Sequence, residues 1–317
     1  LYQQFGDEEA LPRQYESMKL FVEAEIRKMG KKNLWIGPSL GDWLAMGKGI
    51  AWQAMHNNPV SNAFIVHDLK VISETAERLG KKADADRYRR QMEATTEAYI
   101  RKFVSKKGIV AKDYQSAYIM ALKFVLPEGE LREQVKKNFA ANIRKNGLQT
   151  GFFATEHLLP LLVEAGETEL AYDILLQEGC PGWMYQVKCG ATTTWERWDA
   201  LKPDGTVNEE KMAGSGDNMV SFNHYAFGSV GEFYYQYILG IKPQKPGFAE
   251  LHFEPYPDRR LGGVSGSYLS RAGKIESSWK YEEDGCHISL NTPVKSEVVL
   301  PDGQRETVEE GTYQWLC

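Results

Sequence analysis

From its start to about residue 240, the chain carries a succession of amphipathic helical patterns, several of which are paired across short joints. Residues 62–79 carry apolar side chains at helical spacing and end at Gly80, and the next helical pattern starts at Ala83. Such a pair predicts an antiparallel helical hairpin. Repeated hairpins with loops at one end predict a mainly α fold, an α/α toroid in which inner and outer helices alternate. The further helical patterns cover residues 14–29, 114–125, 130–145, 156–164, 167–176 and 220–238.

The pattern changes after Ile241. Residues 242–246 form a short linker rich in Pro and Lys, and beyond Phe248 apolar and polar residues alternate with the period of two that is typical of strands. An Asp-Gly pair at 284–285 separates two such runs and predicts a hairpin turn. We therefore predict two domains: an α/α barrel over residues 1–241 and a small antiparallel β domain over residues 242–317.

Charge and cysteine use exclude several classes of function. The formal net charge is −5, so the chain lacks the cationic excess that nucleic acids and anionic membrane surfaces require. No apolar run is long enough to span a bilayer. The four cysteines show no metal or redox spacing, and His67 and His157 have no second ligand one helical turn away. We predict no cofactor, no metal, no nucleic-acid partner and no membrane partner.

A carboxylate between two tryptophans is the candidate site. The stretch from Gly190 to Trp198 reads Gly-Ala-Thr-Thr-Thr-Trp-Glu-Arg-Trp, and residues 221–228 supply an Asn-His pair. Aromatic faces cover the apolar face of a pyranose, while a carboxylate and an imidazole meet its hydroxyls or an attacking water. Spacing alone leaves a second interpretation open, in which Glu196 forms an ion pair with the neighbouring arginine and both indoles pack in the core from a helix.

These stretches resemble the α-L-rhamnosidases of glycoside hydrolase family 78. The matching residues are Thr-Thr-Trp-Glu-Arg-Trp-Asp at 193–199, Asn-His-Tyr-Ala-Phe-Gly at 223–228, Leu-Gly-Ile at 239–241 and Gly-Asp-Trp-Leu at 41–44. The resemblance implies a six-hairpin (α/α)6 barrel followed by a β-sandwich. The helical patterns fall short of two helices for each of six hairpins. The chain, which begins at Leu1, therefore reads as the later part of a longer protein whose upstream segment completes the barrel, and no compartment is predicted.

The resemblance also implies roles for individual residues. Enzymes of this family invert the configuration at the anomeric carbon. This requires one carboxylic acid that protonates the leaving oxygen and one carboxylate that activates water. Glu196 matches the general base, and His224 matches a histidine that contacts the sugar. Trp43, with Asp42 beside it, matches the wall of the rhamnose pocket, and Trp183 is a further candidate for its aromatic lining. The implied partner is a carbohydrate that contains α-L-rhamnose.

The chain departs from the family at the general acid. The family's acidic motif lies before the Gly-Asp-Trp stretch, and no such motif precedes Gly41 here. We expect the acid in the upstream segment. A non-catalytic sugar-binding remnant and another α/α-barrel glycosidase or lyase remain open as alternatives. Taken alone, Asp42 is also compatible with a turn or a helix cap.

Overall fold

A computed structural model describes residues 1–209 and 220–317. The chain divides into two compact units, a helical unit of residues 15–229 and a second unit that combines residues 1–14 with residues 230–317. The domain boundary that the sequence predicts between residues 241 and 242 remains a prediction. No helix among the described residues has the length and apolar character needed to cross a membrane.

The helices agree with the hairpin pattern of the sequence. The helical unit and the residues after it also contain shorter helical turns. Two of them are π-helical, Ala121–Val125 and Tyr234–Ile238, and another is a 3-10 turn, Ala226–Ser229. The α-helices among the described residues are α1 Tyr2–Phe5, α2 Ala10–Met29, α3 Ile50–His56, α4 Asn58–Arg78, α5 Lys82–Phe103, α6 Gln115–Met120, α7 Glu130–Asn146, α8 Phe152–Glu164, α9 Thr168–Leu176, α10 Trp183–Lys188 and α11 Val230–Phe233.

Helix pairs in the helical unit alternate as a toroid requires. Helices α5, α7 and α9 each pack against the helix that precedes them as hairpin partners. Helices α4, α6 and α8 and the turn at Ala226–Ser229 pack side by side in that order, which makes them the inner layer. The joint between α4 and α5 turns at Gly80, whose φ of 72° is readily reached only by glycine. Leu69, Ile72 and Tyr88 are fully buried in a core cluster that α4 and α5 share with Tyr15 and Val22 of α2.

The helix predicted from Val220 to Ile238 begins later than expected. Residues 220–225 are irregular, and regular helical geometry starts at Ala226. The reason is that the carbonyl groups of Ser221, Phe222 and His224 accept hydrogen bonds from residues 193–196. Those carbonyls are then not free to accept the bonds of a helical ladder.

The second unit contains two four-stranded sheets. Their strand orders are β1-β2-β6-β7 and β3-β4-β5-β8. Alternation buries Ile275, Ser277 and Trp279 on one side of β4, as the period of two predicts, and the predicted hairpin joins β4 to β5. One pairing, β2 with β6, is parallel, whereas the sequence predicts an antiparallel domain throughout. The strands are β1 Ile241–Pro243, β2 Leu251–Phe253, β3 Gly263–Ser270, β4 Gly273–Glu282, β5 Gly285–Thr292, β6 Ser296–Val299, β7 Arg305–Val308 and β8 Gly311–Leu316.

Candidate functional site

Two loop segments of the helical unit are joined side by side and hold Glu196 next to His224 in the fold. The segments are residues 193–196 and residues 221–224, and both lack regular secondary structure. Because the acceptor in every hydrogen bond between the segments is a backbone carbonyl, the contact fixes the backbone from which both side chains project. Four hydrogen bonds join the segments: Thr193 Oγ1 to Phe222 O (2.5 Å), Thr194 Oγ1 to His224 O (2.6 Å), His224 N to Thr194 O (2.9 Å) and Glu196 N to Ser221 O (2.9 Å).

The Glu196 carboxylate is half-buried and makes no hydrogen bond or ion pair with residues 1–209 or 220–317. The neighbouring Arg197 forms its ion pair with Asp199 instead, with Nε 3.0 Å from Oδ1 and Nη2 3.3 Å from Oδ2. Asn208 donates a further bond of 2.8 Å to Asp199. The ion pair between Glu196 and Arg197, which sequence spacing left open, is therefore not what the described residues show.

Trp195 and Trp198 do not present their ring faces to solvent. They are 2% and 1% exposed, and they lie in a loop rather than on a helix. The Trp198 ring stacks on Phe227 with centroids 3.8 Å apart, and its Nε1 donates to the carbonyl of Thr150 at 2.9 Å. The idea that the two flanking indoles grip a sugar is therefore wrong. Both rings anchor the loop that carries Glu196.

Trp183 lies behind this loop, on helix α10. Its ring is 6% exposed and meets Trp198 edge to face at 5.0 Å. Its Nε1 donates to the carbonyl of Phe227 at 2.9 Å. These contacts make Trp183 a support for Trp198, and its place in the substrate lining stays a prediction with little exposed surface available to it.

Asp42 is fully buried at the start of helix α8. Its Oδ2 accepts bonds from Ser116 Oγ at 2.5 Å and Gly151 N at 2.7 Å, and its Oδ1 accepts from Phe153 N at 2.8 Å and Ala154 N at 3.0 Å. A carboxylate that accepts from the first backbone amides of a helix is a cap, here supplied by a residue more than a hundred positions away in sequence. Burial raises the pKa of Asp42 above its usual range, although these four bonds act in the opposite direction.

This cap fixes the neighbouring Trp43. The Trp43 carbonyl accepts from Phe152 N at 3.0 Å, and its side chain is half-buried. Gly151 makes the approach possible, because a Cβ at this position would stand 2.2 Å from the Trp43 carbonyl oxygen. The Phe152 ring in turn packs against the His224 ring at 4.8 Å. Phe152 therefore links the Trp43 loop to the loop of His224.

The His224 imidazole accepts a hydrogen bond from a backbone amide. Its Nδ1 accepts from Ala226 N at 3.3 Å, so in the neutral ring the proton sits on Nε2, which can donate to a hydroxyl. Tyr225 stacks on His224 with centroids 5.1 Å apart and is 86% exposed. Sequence reasoning did not single out Tyr225. The sequence carries no signal for it, because residues 220–238 read as one helix and the loop that exposes Tyr225 is seen only in the structure.

One cluster of metal-compatible side chains occurs among the described residues. Glu282, Asp284 and His287 lie at the turn between β4 and β5, and all three are exposed. His287 Nε2 lies 2.8 Å from Asp284 Oδ1, and the Lys280 ammonium bonds the Glu282 carboxylate at 2.9 Å. The exposed charges of this hairpin are therefore paired with one another.

Comparisons with known proteins identify the family of both parts of the chain. Residues 1–238 match the bacterial alpha-L-rhamnosidase 6 hairpin glycosidase domain, and residues 240–314 match the bacterial alpha-L-rhamnosidase C-terminal domain. An alpha-L-rhamnosidase of Alteromonas sp. (strain LOR) is 34% identical over 95% of this chain and 33% of its own length. One from Streptomyces avermitilis is 31% identical over 99% of this chain and 30% of its own length. The chain thus spans about a third of the curated relatives.

Solved structures give the same result for the fold. The Streptomyces avermitilis alpha-L-rhamnosidase complexed with L-rhamnose superposes with a TM-score of 0.89 at 28% identity, covering 99% of this chain and 31% of that one. The Aspergillus terreus alpha-L-rhamnosidase superposes with a TM-score of 0.90 at 28% identity, covering 99% of this chain and 37% of that one. The fold is therefore that of a six-hairpin glycosidase domain followed by the β domain of these enzymes, and the chain belongs to the bacterial alpha-L-rhamnosidase family.

Proposed function

We propose that this chain is the part of an inverting α-L-rhamnosidase that carries the general base, Glu196. The observation that supports the proposal most strongly is the state of Glu196. Its backbone is held by the hydrogen bond to Ser221, while its half-buried carboxylate makes no bond within the described residues. A carboxylate that is positioned but not neutralised by a cation is the group needed to take a proton from water.

The reaction requires both a base that activates water and an acid that protonates the departing oxygen. Glu196 removes a proton from water, whose oxygen attacks the anomeric carbon while the glycosidic bond breaks and an acid protonates the departing oxygen. Base and acid stand about 6.5–9.5 Å apart in such enzymes, which leaves room for the water. Asp42 is a poor candidate for the acid because it is fully buried and both of its oxygens are bonded internally. We propose that the acid comes from sequence upstream of this chain.

Sugar binding falls to the groups that retain exposed surface. The half-buried Trp43 ring can cover the apolar face and the methyl group of rhamnose. The His224 Nε2 proton can bond a hydroxyl, and the exposed Tyr225 ring beside it offers a second aromatic surface. Asp42 then acts through Trp43 and helix α8, as a positioning residue rather than as a ligand.

Hydrolysis of an aryl α-L-rhamnoside tests the proposal, with the aryl glucoside and galactoside as controls. A good leaving group needs little protonation, so base catalysis can be observed even where the acid is weak or absent. We expect rhamnose-selective release that falls by about a hundredfold or more in Glu196→Gln. The matched control is Glu178→Gln, which removes an exposed carboxylate paired with Lys188 and should leave the rate unchanged.

Two further readouts assign the role of Glu196. Proton NMR of the first product should show the inverted anomer of rhamnose. In Glu196→Ala, added azide should restore cleavage and give the inverted rhamnosyl azide, because azide attacks the anomeric carbon without needing a base. Equal turnover in wild type and Glu196→Gln would refute the assignment. Sugar binding without turnover in both would favour the sugar-binding remnant.

A further inference from the structure

The backbone that carries Glu196 is held by hydrogen bonds to two different parts of the helical unit. Thr194 O and Glu196 N each bond to the loop of residues 221–224, at 2.9 Å. The amide between them, Trp195 N, donates instead to the side-chain oxygen Oε1 of Gln186 at 3.1 Å. This is the bonding pattern of an extended segment, in which successive amide groups bond to opposite sides. The loop pairing therefore holds one edge of the segment, and Gln186 holds the other.

Gln186 belongs to helix α10, which also supports both indoles beside the base. Trp183 of this helix meets the Trp198 ring edge to face at 5.0 Å. Tyr185 meets the Trp195 ring edge to face at 6.4 Å. Because α10 contacts the base loop before and after Glu196, a side chain on this helix is a firm point of attachment for that loop.

The Gln186 amide is in an unusual state for a buried side chain. It is 3% exposed, and its Nε2 has no hydrogen-bond partner within the part of the chain that the structure describes. A buried donor without a partner destabilises the fold, so an apolar side chain of the same length would pack better here. What an apolar side chain would lose is the bond that Oε1 accepts from Trp195 N. This bond, rather than packing, accounts for an amide at position 186.

The bond acts on the residue directly before the base. Trp195 is 2% exposed, so water has little access to its N–H group once the Gln186 oxygen is removed. The segment would then shift to find another acceptor, and the Glu196 carboxylate would move with it. A displacement of about 1 Å in a catalytic group can lower a rate about a hundredfold.

We infer that Gln186 is a positioning residue of the active site, whose amide oxygen sets the place of the Glu196 carboxylate through the Trp195 backbone. The inference rests on the proposed function, because it takes Glu196 to be the general base. Gln186 does not touch the substrate and acts only through the loop of residues 193–196. Its removal therefore lowers turnover and leaves substrate binding intact.

Kinetics of Gln186→Met on the aryl α-L-rhamnoside test the inference, because methionine keeps the length of the side chain but not its acceptor. We expect kcat to fall about tenfold and KM to stay within about twofold, since the groups that contact the sugar are retained. Gln186→Asn, whose amide is one methylene too short to reach Trp195 N, should act in the same direction. The matched control is Gln91→Met, which removes a half-buried amide of helix α5 bonded to Asn33 and should leave both constants unchanged.

Two further readouts separate positioning of the base from a general effect on the fold. In Glu196→Ala, azide attacks the anomeric carbon without needing a base. Adding Gln186→Met to this variant should therefore change the azide-dependent rate by less than about twofold, since no base remains to be positioned. Hydrogen exchange at the Trp195 amide should become about tenfold faster in Gln186→Met and should stay as in wild type in Gln91→Met.

The outcomes distinguish this inference from the proposed function. An unchanged kcat in both Gln186 variants, an equal loss in the azide reaction, or unchanged exchange at the Trp195 amide would overturn the inference. If Gln186→Met does not fold, Gln186→Asn and its double variant with Glu196→Ala decide in the same way. Equal turnover in wild type and Glu196→Gln would refute the proposed function instead. In a chain that releases no rhamnose at all, faster exchange at Trp195 would retain the hold of Gln186 on the loop while the proposed activity fails.

Discussion

Removing the Asp42 carboxylate should destabilise the start of helix α8 more than any ordinary surface substitution. In Asp42→Ala the backbone amides of Gly151, Phe153 and Ala154 lose their acceptor inside the protein, where no other group replaces it. Each unsatisfied buried donor costs about 1–3 kcal/mol. In Asp42→Asn one oxygen remains for Phe153 and Ala154, while the new amide meets the Gly151 N–H donor to donor.

The magnitudes follow from counting the donors that each variant leaves without a partner. We expect a loss of about 2 kcal/mol for Asp42→Asn, from one donor. For Asp42→Ala we expect about 4 kcal/mol, below the sum for three donors because water can enter the space that is left. In a helical unit of residues 15–229, each kcal/mol lowers the midpoint of thermal unfolding by about 2–4 °C. The alanine variant should therefore melt about 10 °C below wild type.

Urea unfolding followed by circular dichroism measures the loss, and hydrogen exchange at the amides of Phe153 and Ala154 locates it. The matched control is Asp86→Asn, an exposed carboxylate paired with Arg89, for which we expect a change within about 0.5 kcal/mol. If both Asp42 variants unfold within this same range, or if their amides exchange as slowly as in wild type, Asp42 does not cap α8 and the interpretation of Asp42 as a positioning residue is wrong.

Two more substitutions test packing and charge in the helical unit. Burial and, to a smaller extent, the negative charge of Asp68 raise the pKa of Glu25 to about 7. Because the folded protein favours the protonated carboxyl, wild type loses stability as the pH rises from about 4.5 to about 7. Because Glu25 is partly exposed, Glu25→Gln should gain only about 1 kcal/mol near pH 8 and nothing near pH 4, and an equal gain at both values would contradict this account. Gly151→Ala forces a Cβ to 2.2 Å from the Trp43 carbonyl and should cost about 2–3 kcal/mol in urea unfolding; a stability equal to wild type would show that the loop yields freely.

The hairpins were predictable because they depend on local signals. Helical periodicity gives the buried faces of α4 and α5, and Gly80 ends the first of these helices with the positive φ that glycine favours. The β domain was predictable for the same reason, through alternation in β4 and a two-residue turn before β5. The parallel pairing of β2 with β6 was not predictable, because it joins strands more than forty residues apart and depends on no local pattern.

The sequence proposes residues for the candidate site, but the contacts among them come only from the structure. Phe152 and the loop pairing connect Glu196, His224 and Trp43. The sequence left Trp198 open between a sugar-contacting surface and the core, because an indole beside a carboxylate has the same one-dimensional pattern in both places. Only its 1% exposure and its stack on Phe227 separate the two.

Asp42 shows why a binding motif and its structural support cannot be told apart by sequence. Its partners, the amides of residues 151, 153 and 154, follow it by more than a hundred positions and are backbone groups that carry no sequence signature. The requirement for aspartate arises from the geometry of a helix start, whereas the adjacent half-buried Trp43 is the residue proposed to contact the sugar. A motif of this kind therefore combines one residue that fixes the loop with one that the loop presents.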